Sequence, residues 1–181
     1  MAEAQRKRER ASFAAALARR RVPLGYALAL LAFWLADPTP RSLALGGILA
    51  ALGEAVRIWA AGHLEKGREV TTSGPYAFTR HPLYVGSSLM GAGFAIASNS
   101  GVVLAMVAIY LAATIAAAIR TEEAHLTEKF GARYPAYRDG AAAPEPRRFS
   151  LARAMRNREY RAFAGVLFTF ALLAAKLYSG S

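Results

Sequence analysis

The chain has 181 residues, and 55% of them are hydrophobic although the formal net charge is +11. An excess of 23 Lys and Arg over 12 Asp and Glu would suit a soluble nucleic-acid binder, but these charges form blocks between long apolar runs. That arrangement is typical of a membrane protein, so no nucleic-acid partner is expected. Because the chain has no cysteine, disulfides, thiolate metal sites and cysteine nucleophiles are excluded.

The first 21 residues are basic and rich in alanine. Phe13 and Leu17 recur at helical spacing, which indicates either an amphipathic helix on the membrane surface or a frayed basic tail. A basic run before an apolar stretch resembles a signal peptide, but its length favours a retained first span. Residues 1–21 are therefore treated as a separate basic N-terminal segment.

Five apolar stretches predict membrane-spanning helices, and the expected fold is an all-α polytopic membrane protein. The first stretch is short for a bilayer that needs about 20 residues, and the polar turn at 99–101 forces the third and fourth into an antiparallel hairpin. The predicted spans cover residues 22–36, 42–62, 83–98, 102–119 and 162–178. The first four spans fall in a core domain of residues 22–161, and the fifth falls in a C-terminal segment of residues 162–181.

The Lys and Arg residues concentrate on one side of these spans. Residues 1–21 hold seven, residues 62–82 hold three and residues 120–161 hold ten, whereas the opposite connections hold only Arg41. The positive-inside rule places these basic segments and the N-terminus in the cytoplasm. We expect a multi-pass protein of a bacterial plasma membrane, with anionic lipids at its cytoplasmic face.

Two ionisable residues lie inside the second predicted span. Glu54 and Arg57 are three positions apart and so share one helix face. Charged groups at such depth are costly, and they are usually paired or face a polar cavity. Two interpretations stay open: they neutralise each other or Arg57 reaches the interface, or the two line a ligand cavity.

The segment before the third span carries the more informative pattern, Gly-Pro-Tyr at 74–76 and Arg-His-Pro-Leu-Tyr at 80–84. Pro82 suits the first turn of a helix, which places Arg80 and His81 beside free amides and the positive end of the helix dipole. This combination suits an anionic group such as a carboxylate, and the tyrosines can wall a planar or cationic ligand. The alternative is an interfacial anchor of arginine and aromatic side chains.

A second pattern follows the fourth span, in residues 120–131. Leu126 and Phe130 are four positions apart and Gly131 suits a C-cap, so the fourth helix is expected to continue beyond the membrane. Its single Glu-x-x-His pair does not make a di-iron site, which needs a second such pair and further carboxylates. Charged helices of this kind are usually solvated. The irregular stretch at 134–146 is expected to fold back as a lid.

Together the two patterns resemble the isoprenylcysteine carboxyl methyltransferase family, whose superfamily includes membrane phospholipid methyltransferases. The matching residues are Gly-Pro-Tyr…Arg-His-Pro-Leu-Tyr-x-Gly and, about 40 residues later, Glu-Glu-x-x-Leu-x-x-x-Phe-Gly-x-x-Tyr-x-x-Tyr. The resemblance covers residues 44–146. It implies an enzyme that binds S-adenosylmethionine in a cytoplasmic pocket and methylates a lipid or small hydrophobic carboxylate, amine or thiol.

The resemblance also implies roles for individual residues, and none of them is a metal ligand. Arg80 and Arg120 are additions based on their position beside the two motifs. The implied catalytic residues are Arg120, Glu123 and Arg138. The implied cofactor-binding residues are Tyr76, Arg80, His81, Pro82, Leu83, Tyr84, Glu122, Glu123, Tyr134 and Tyr137.

Two other functions stay open. The architecture also resembles the membrane sterol reductases, which use NADPH, but those typically carry Asn where this chain has Leu83 and an acidic residue where it has Ser87. The other alternative is a non-catalytic membrane protein whose basic face holds anionic lipid.

Overall fold

The computed structural model describes residues 25–143 and 146–179, and every regular element within these ranges is helical. The predicted basic segment 1–21 lies outside the described residues, as does the beginning of the first predicted span. A 3-10 turn, Gly74–Ala77, precedes the third helix. The α-helices are α1 Gly25–Leu35, α2 Pro40–Ala61, α3 Pro82–Ala97, α4 Gly101–Phe130, α5 Arg133–Arg138, α6 Leu151–Arg156 and α7 Tyr160–Ser179.

Helices α2, α4 and α7 are long and apolar enough to cross a membrane. Helices α1 and α3 are also apolar but shorter over their described residues, and α3 reaches only about 24 Å at 1.5 Å per residue. The chain is therefore an all-α polytopic membrane protein, as the hydropathy pattern predicted. The domain boundaries given above remain predictions.

The ends of α2 and α4 follow from local sequence. Thr39 caps the start of α2, because its Oγ1 accepts from the Ser42 amide at 3.1 Å while Ser42 Oγ accepts from the Thr39 amide at 2.9 Å. Helix α4 continues past its apolar part and ends at Gly131, whose φ of +53° is a conformation that glycine adopts readily. The predicted extension of the fourth helix is thus confirmed.

Helices α2 and α3 pack through facing glycines, here called the α2–α3 glycine contact. A Cβ on Gly53 would lie 2.6 Å from the Gly86 carbonyl oxygen, and a Cβ on Gly86 would lie 2.6 Å from the Gly53 oxygen. Gly46 and Gly93 face each other in the same way two turns away. Since no side chain fits between them, these positions allow the backbones to approach closely, as small residues do in membrane helices.

The hydrogen bonds at the chain reversals show that the long helices alternate in direction. At one end, the Asp37 amide donates to the Ser98 carbonyl at 2.8 Å. At the same end, Lys176 Nζ near the end of α7 donates to the Phe33 carbonyl at 2.8 Å. The α2–α3 connection and the α4–α7 connection therefore lie together at the opposite end of the bundle.

Residues 146–159, here called the return segment, pack against the end of α2. Arg153 Nη1 donates to the Gly62 carbonyl at 2.6 Å, and Arg153 Nε contacts Glu65 Oε1 at 2.7 Å. This hydrogen bond from Arg153 holds the pKa of Glu65 below its ordinary value. Asn157 Nδ2 donates to a carbonyl in the last turn of α2 at 2.8 Å. The return segment thus caps carbonyls that lack partners within the helix.

Candidate active site

A cavity of about 710 Å³ lies at the end of the bundle where the two long connections meet. Its volume falls within the range of roughly 300–1,000 Å³ that is usual for small-molecule sites. Along α4 its lining runs from Ala113 to Phe130, a distance of about 26 Å at 1.5 Å per residue. The cavity therefore reaches from the apolar span of α4 to the polar extension of the same helix.

The lining changes from apolar to polar along this length. The apolar part includes Leu83 of α3 and Ala113, Ala117 and Ala118 of α4. The polar part draws on both sequence motifs and on the α2–α3 connection. It includes Arg57, Lys66, Glu69, Tyr76, His81, Tyr84, Glu122, His125, Lys129, Tyr134 and Tyr137.

The His81 side chain forms a hydrogen bond with a carboxylate of α4 that lies outside the cavity lining. His81 Nε2 lies 3.1 Å and Arg80 Nη1 lies 3.2 Å from the same oxygen, Glu123 Oε1. His81 lines the cavity, whereas Arg80 and Glu123 lie outside the lining. The two sequence motifs, 42 positions apart, therefore meet at this hydrogen bond.

Glu122 joins the same two motifs inside the cavity. The Tyr84 hydroxyl donates to Glu122 Oε2 at 2.8 Å, and both side chains line the wall. Pro82 is buried in the first turn of α3 and lines the wall beside Leu83. The N-terminal turn of α3 and the extension of α4 thus form adjacent walls of one site.

Helix α5 lies over the cavity and is fixed there by a tyrosine. The Tyr137 hydroxyl donates to the Tyr76 carbonyl at 2.6 Å, and the Tyr134 side chain is only 1% exposed. The sequence pattern predicted an irregular stretch here, but Arg133–Arg138 is helical. Pro135 permits this because it lies in the first helical turn, where its missing N–H has no partner to lose.

Three tyrosines give the cavity a set of phenol hydroxyls. Burial raises the pKa of Tyr134 and of Tyr137 to about 12, and it raises the pKa of Tyr76 above its ordinary value. All three phenols therefore stay protonated at neutral pH. The Tyr76 hydroxyl is buried and has no hydrogen-bond partner among the described residues. The Tyr134 hydroxyl faces Glu123, whose carboxylate also contributes to the raised pKa of Tyr134.

Arg57 lines the cavity but does not pair with Glu54. Its Nε and Nη2 lie 2.6 and 3.1 Å from the two carboxylate oxygens of Glu159, and its Nη1 donates to Ser87 Oγ at 2.6 Å. The interpretation in which Glu54 and Arg57 neutralise each other is therefore replaced by a pair between Arg57 and the return segment. The sequence analysis did not single out Glu159. The sequence signal that could have identified Glu159 is that it is the only acidic residue within the basic stretch 147–161.

Glu54 is 4% exposed, and neither of its carboxylate oxygens has a hydrogen-bond partner among the described residues. Because burying an unpaired charge is costly, we expect Glu54→Gln to leave the melting temperature in detergent unchanged or to raise it. Thermal unfolding followed by intrinsic fluorescence checks this. A clear fall in melting temperature would show that the carboxylate makes a stabilising contact.

Two residues that the resemblance named lie away from the cavity. Arg120 is exposed on α4, and Arg138 is exposed on α5, where its Nε contacts the neighbouring Asp139 at 2.9 Å. Neither residue is part of the lining. The structure brings the other predicted site residues to the cavity wall or, for Arg80 and Glu123, directly behind it.

A comparison with known families shows which family the chain belongs to. The sequence model of the family described as phospholipid methyltransferase matches residues 21–133, which is more than half of the chain. The chain belongs to the phospholipid methyltransferase family. The family match ends at Arg133, so most of α5, the return segment and α7 lie beyond it.

Two curated proteins are similar to this phospholipid methyltransferase family member. The cobalt-zinc-cadmium resistance protein CzcN of Cupriavidus metallidurans is 36% identical over 94 residues, which are 51% of this chain and 44% of that protein. The nickel-cobalt-cadmium resistance protein NccN of Alcaligenes xylosoxydans is 34% identical over 88 residues, 48% of this chain and 40% of that protein. The aligned part thus spans less than half of either relative. No solved structure matches the chain.

Proposed function

We propose that this protein uses S-adenosylmethionine to methylate a lipid or small hydrophobic acceptor at the cytoplasmic membrane interface. The observation that carries the proposal is one cavity whose lining combines a mainly apolar part within the α4 span with charged and phenolic side chains beyond it. A hydrophobic acceptor and a polar methyl donor need adjacent surfaces of opposite character. This cavity supplies both within a length of about 26 Å.

The residues present fit the methyl donor chemically. S-adenosylmethionine carries an aromatic base, hydroxyls, an amino group, a carboxylate and a sulfonium. The buried Tyr76 hydroxyl has no hydrogen-bond partner among the described residues and can donate to such a group. His81, at the N-terminal end of α3, suits the carboxylate, and Glu122 suits the amino group.

Within this proposal the cofactor-binding residues are those implied by the resemblance. Some of them face the donor, and others hold these in place. Glu122 faces the donor directly, because it lines the cavity, whereas Glu123 acts by holding His81 and Arg80 in place. Tyr84 fixes Glu122 through its hydroxyl. Pro82, Leu83 and Tyr137 complete the wall.

The methyl group of a sulfonium is already activated when the donor is bound. The protein therefore has to align a nucleophile with it, and positioning of this kind can supply up to ~7–11 kcal/mol of a barrier. A carboxylate acceptor needs no base. An amine or thiol must lose a proton, and His125 on the cavity wall can accept this proton.

The orientation in the membrane follows from the basic residues around the cavity. Arg147, Arg153 and Arg156 of the return segment form ion pairs with carboxylates of the α2–α3 connection at the cavity end of the bundle. Together with the basic N-terminal residues 1–21, they favour a cytoplasmic cavity in a bacterial plasma membrane, with the N-terminus inside. Anionic lipids are expected at this face.

Thermal unfolding in detergent tests the proposed function. We expect S-adenosylhomocysteine to raise the melting temperature, since a ligand at 100 times its Kd stabilises a protein by about 2.7 kcal/mol. Stabilisation by NADPH instead would favour the reductase. A chain that responds to neither compound, but to vesicles rich in anionic lipid, would favour the non-catalytic alternative.

A further inference from the structure

The cavity wall contains an arginine whose side chain is held by contacts from three directions. Arg57 Nε and Nη2 contact Glu159, and Nη1 contacts Ser87 Oγ at 2.6 Å and the Leu83 carbonyl at 3.4 Å. These contacts engage four of the five N–H groups of a guanidinium. A Cβ on Gly86 would lie 2.5 Å from Arg57 Cγ, so the glycine leaves room for the arginine stem.

We propose that Glu159 is a positioning residue of the active site, which acts by fixing the guanidinium of Arg57 in the cavity wall. Glu159 itself lies outside the lining and is 6% exposed, so it has no direct access to the contents of the cavity. It immediately precedes α7 and lies beyond the family match. The consequence is that the return segment, which ends at Glu159, belongs to the catalytic unit.

The charges explain why the position of Arg57 depends on Glu159. The Arg57 side chain is 20% exposed and the Glu159 side chain 7%, so little solvent is available to replace a lost partner. Removing one member of such a pair leaves the other charge uncompensated. Without Glu159, Nε and Nη2 of Arg57 lose their partner, and only the contacts of Nη1 with Ser87 and the Leu83 carbonyl hold the guanidinium. The guanidinium is then free to leave its position in the wall.

A purely structural role makes a different prediction, and α7 provides a matched control. Lys176 at the far end of α7 donates to the Phe33 and Trp34 carbonyls, each at 2.8 Å, and so fastens the other end of the same helix away from the cavity. If Glu159 merely holds α7 in place, Lys176→Gln and Glu159→Gln will have similar effects. If Glu159 positions Arg57, only Glu159→Gln will alter the site.

The kinetic test rests on the proposed function and uses a double-mutant cycle in the full-length protein. Radiolabelled S-adenosylmethionine and a total lipid extract serve as probes. We expect Glu159→Gln to lower the rate by about 10- to 100-fold, because small misplacements in an active site have effects of this size. It should have no further effect in an Arg57→Gln background. Glu159→Asp should restore part of the rate, and Lys176→Gln should leave it unchanged.

Labelling of Arg57 with phenylglyoxal, read by mass spectrometry, gives a measurement that needs no activity. We expect faster labelling in Glu159→Gln than in the wild type, and no change in Lys176→Gln. Multiplicative rate effects of the Arg57 and Glu159 substitutions, or labelling that is insensitive to Glu159→Gln, would overturn the inference. If Glu159→Gln fails to fold, Glu159→Asp decides by the same labelling measurement.

The two proposals fail in different ways. A wild-type chain that neither responds to S-adenosylhomocysteine nor transfers methyl groups contradicts the proposed function. The labelling of Arg57 still decides whether Glu159 positions it. A wild-type chain that transfers methyl groups, with Glu159→Gln as active as Lys176→Gln, contradicts only the positioning role.

Discussion

Replacement of His81 by alanine is expected to lower the rate of methyl transfer by about 100-fold or more while the chain stays folded. His81 lines the cavity, and its Nε2 lies 3.1 Å from Glu123 Oε1, so it is one of the contacts that join the two sequence motifs. Its loss removes a polar group from the proposed carboxylate site and one of the partners of Glu123, which keeps its contact with Arg80. Initial rates with radiolabelled S-adenosylmethionine measure the effect, and circular dichroism in detergent reports the folding.

Two further variants on α4 sharpen this test. Glu123→Gln keeps the shape of the side chain but removes the charge that holds His81 and Arg80, so it should also abolish transfer. Glu128→Gln changes an exposed carboxylate on the same helix outside the cavity lining and should be as active as the wild type. Full activity of both His81→Ala and Glu123→Gln would exclude the proposed pocket.

The second large effect is expected at the α2–α3 glycine contact. In Gly53→Ala or Gly86→Ala, the new methyl group would lie 2.6 Å from a backbone oxygen of the facing helix. The obstacle is backbone, so the helices have to separate, and overpacking of this kind typically costs about 1–3 kcal/mol. Separation also moves Arg57 and Leu83 in the cavity wall. We therefore expect a lower melting temperature together with a loss of methyl transfer.

Gly165 on α7 provides the matched control for this substitution. A Cβ at Gly165 has no neighbour within 4 Å in the part of the chain that the structure describes, so Gly165→Ala should keep full activity. It should raise the melting temperature slightly, because glycine within a helix is less stable than alanine by roughly 0.5–1 kcal/mol. Native stability and activity of both Gly53→Ala and Gly86→Ala would show that the helices are not packed as closely as described.

Much of the fold could be predicted because its signals are local. Apolar runs and the turn at 99–101 predict the helices and their antiparallel order, and the spacing of Leu126, Phe130 and Gly131 predicts the extension of α4. Helix α5 was missed because the prolines at 144 and 146 mark the whole stretch as irregular. A proline also stands at 135, and a helix tolerates it there because it falls in the first turn.

The candidate site was predictable only where a family pattern links distant positions. The proximity of His81 and Glu123 follows from two motifs that are read together, since no local periodicity connects residues 42 positions apart. Arg57 and Glu159 are 102 positions apart, and Glu159 lies beyond the family match, so their pairing appears only in the structure. Only the structure shows that Glu122 lines the cavity and Glu123 does not, because this depends on the rotation of α4 about its axis.

The hydrogen bond that fixes α5 has a consequence for Tyr76. Tyr137 donates to the main-chain oxygen of Tyr76 and not to its phenol, so this attachment does not itself require a phenol at position 76. The Tyr76 phenol therefore takes no part in the hydrogen bond that holds α5, and its hydroxyl has no protein partner among the described residues. The two parts of Tyr76 can therefore have separate roles. Its main-chain oxygen anchors α5, and its hydroxyl is available to a ligand in the proposed site.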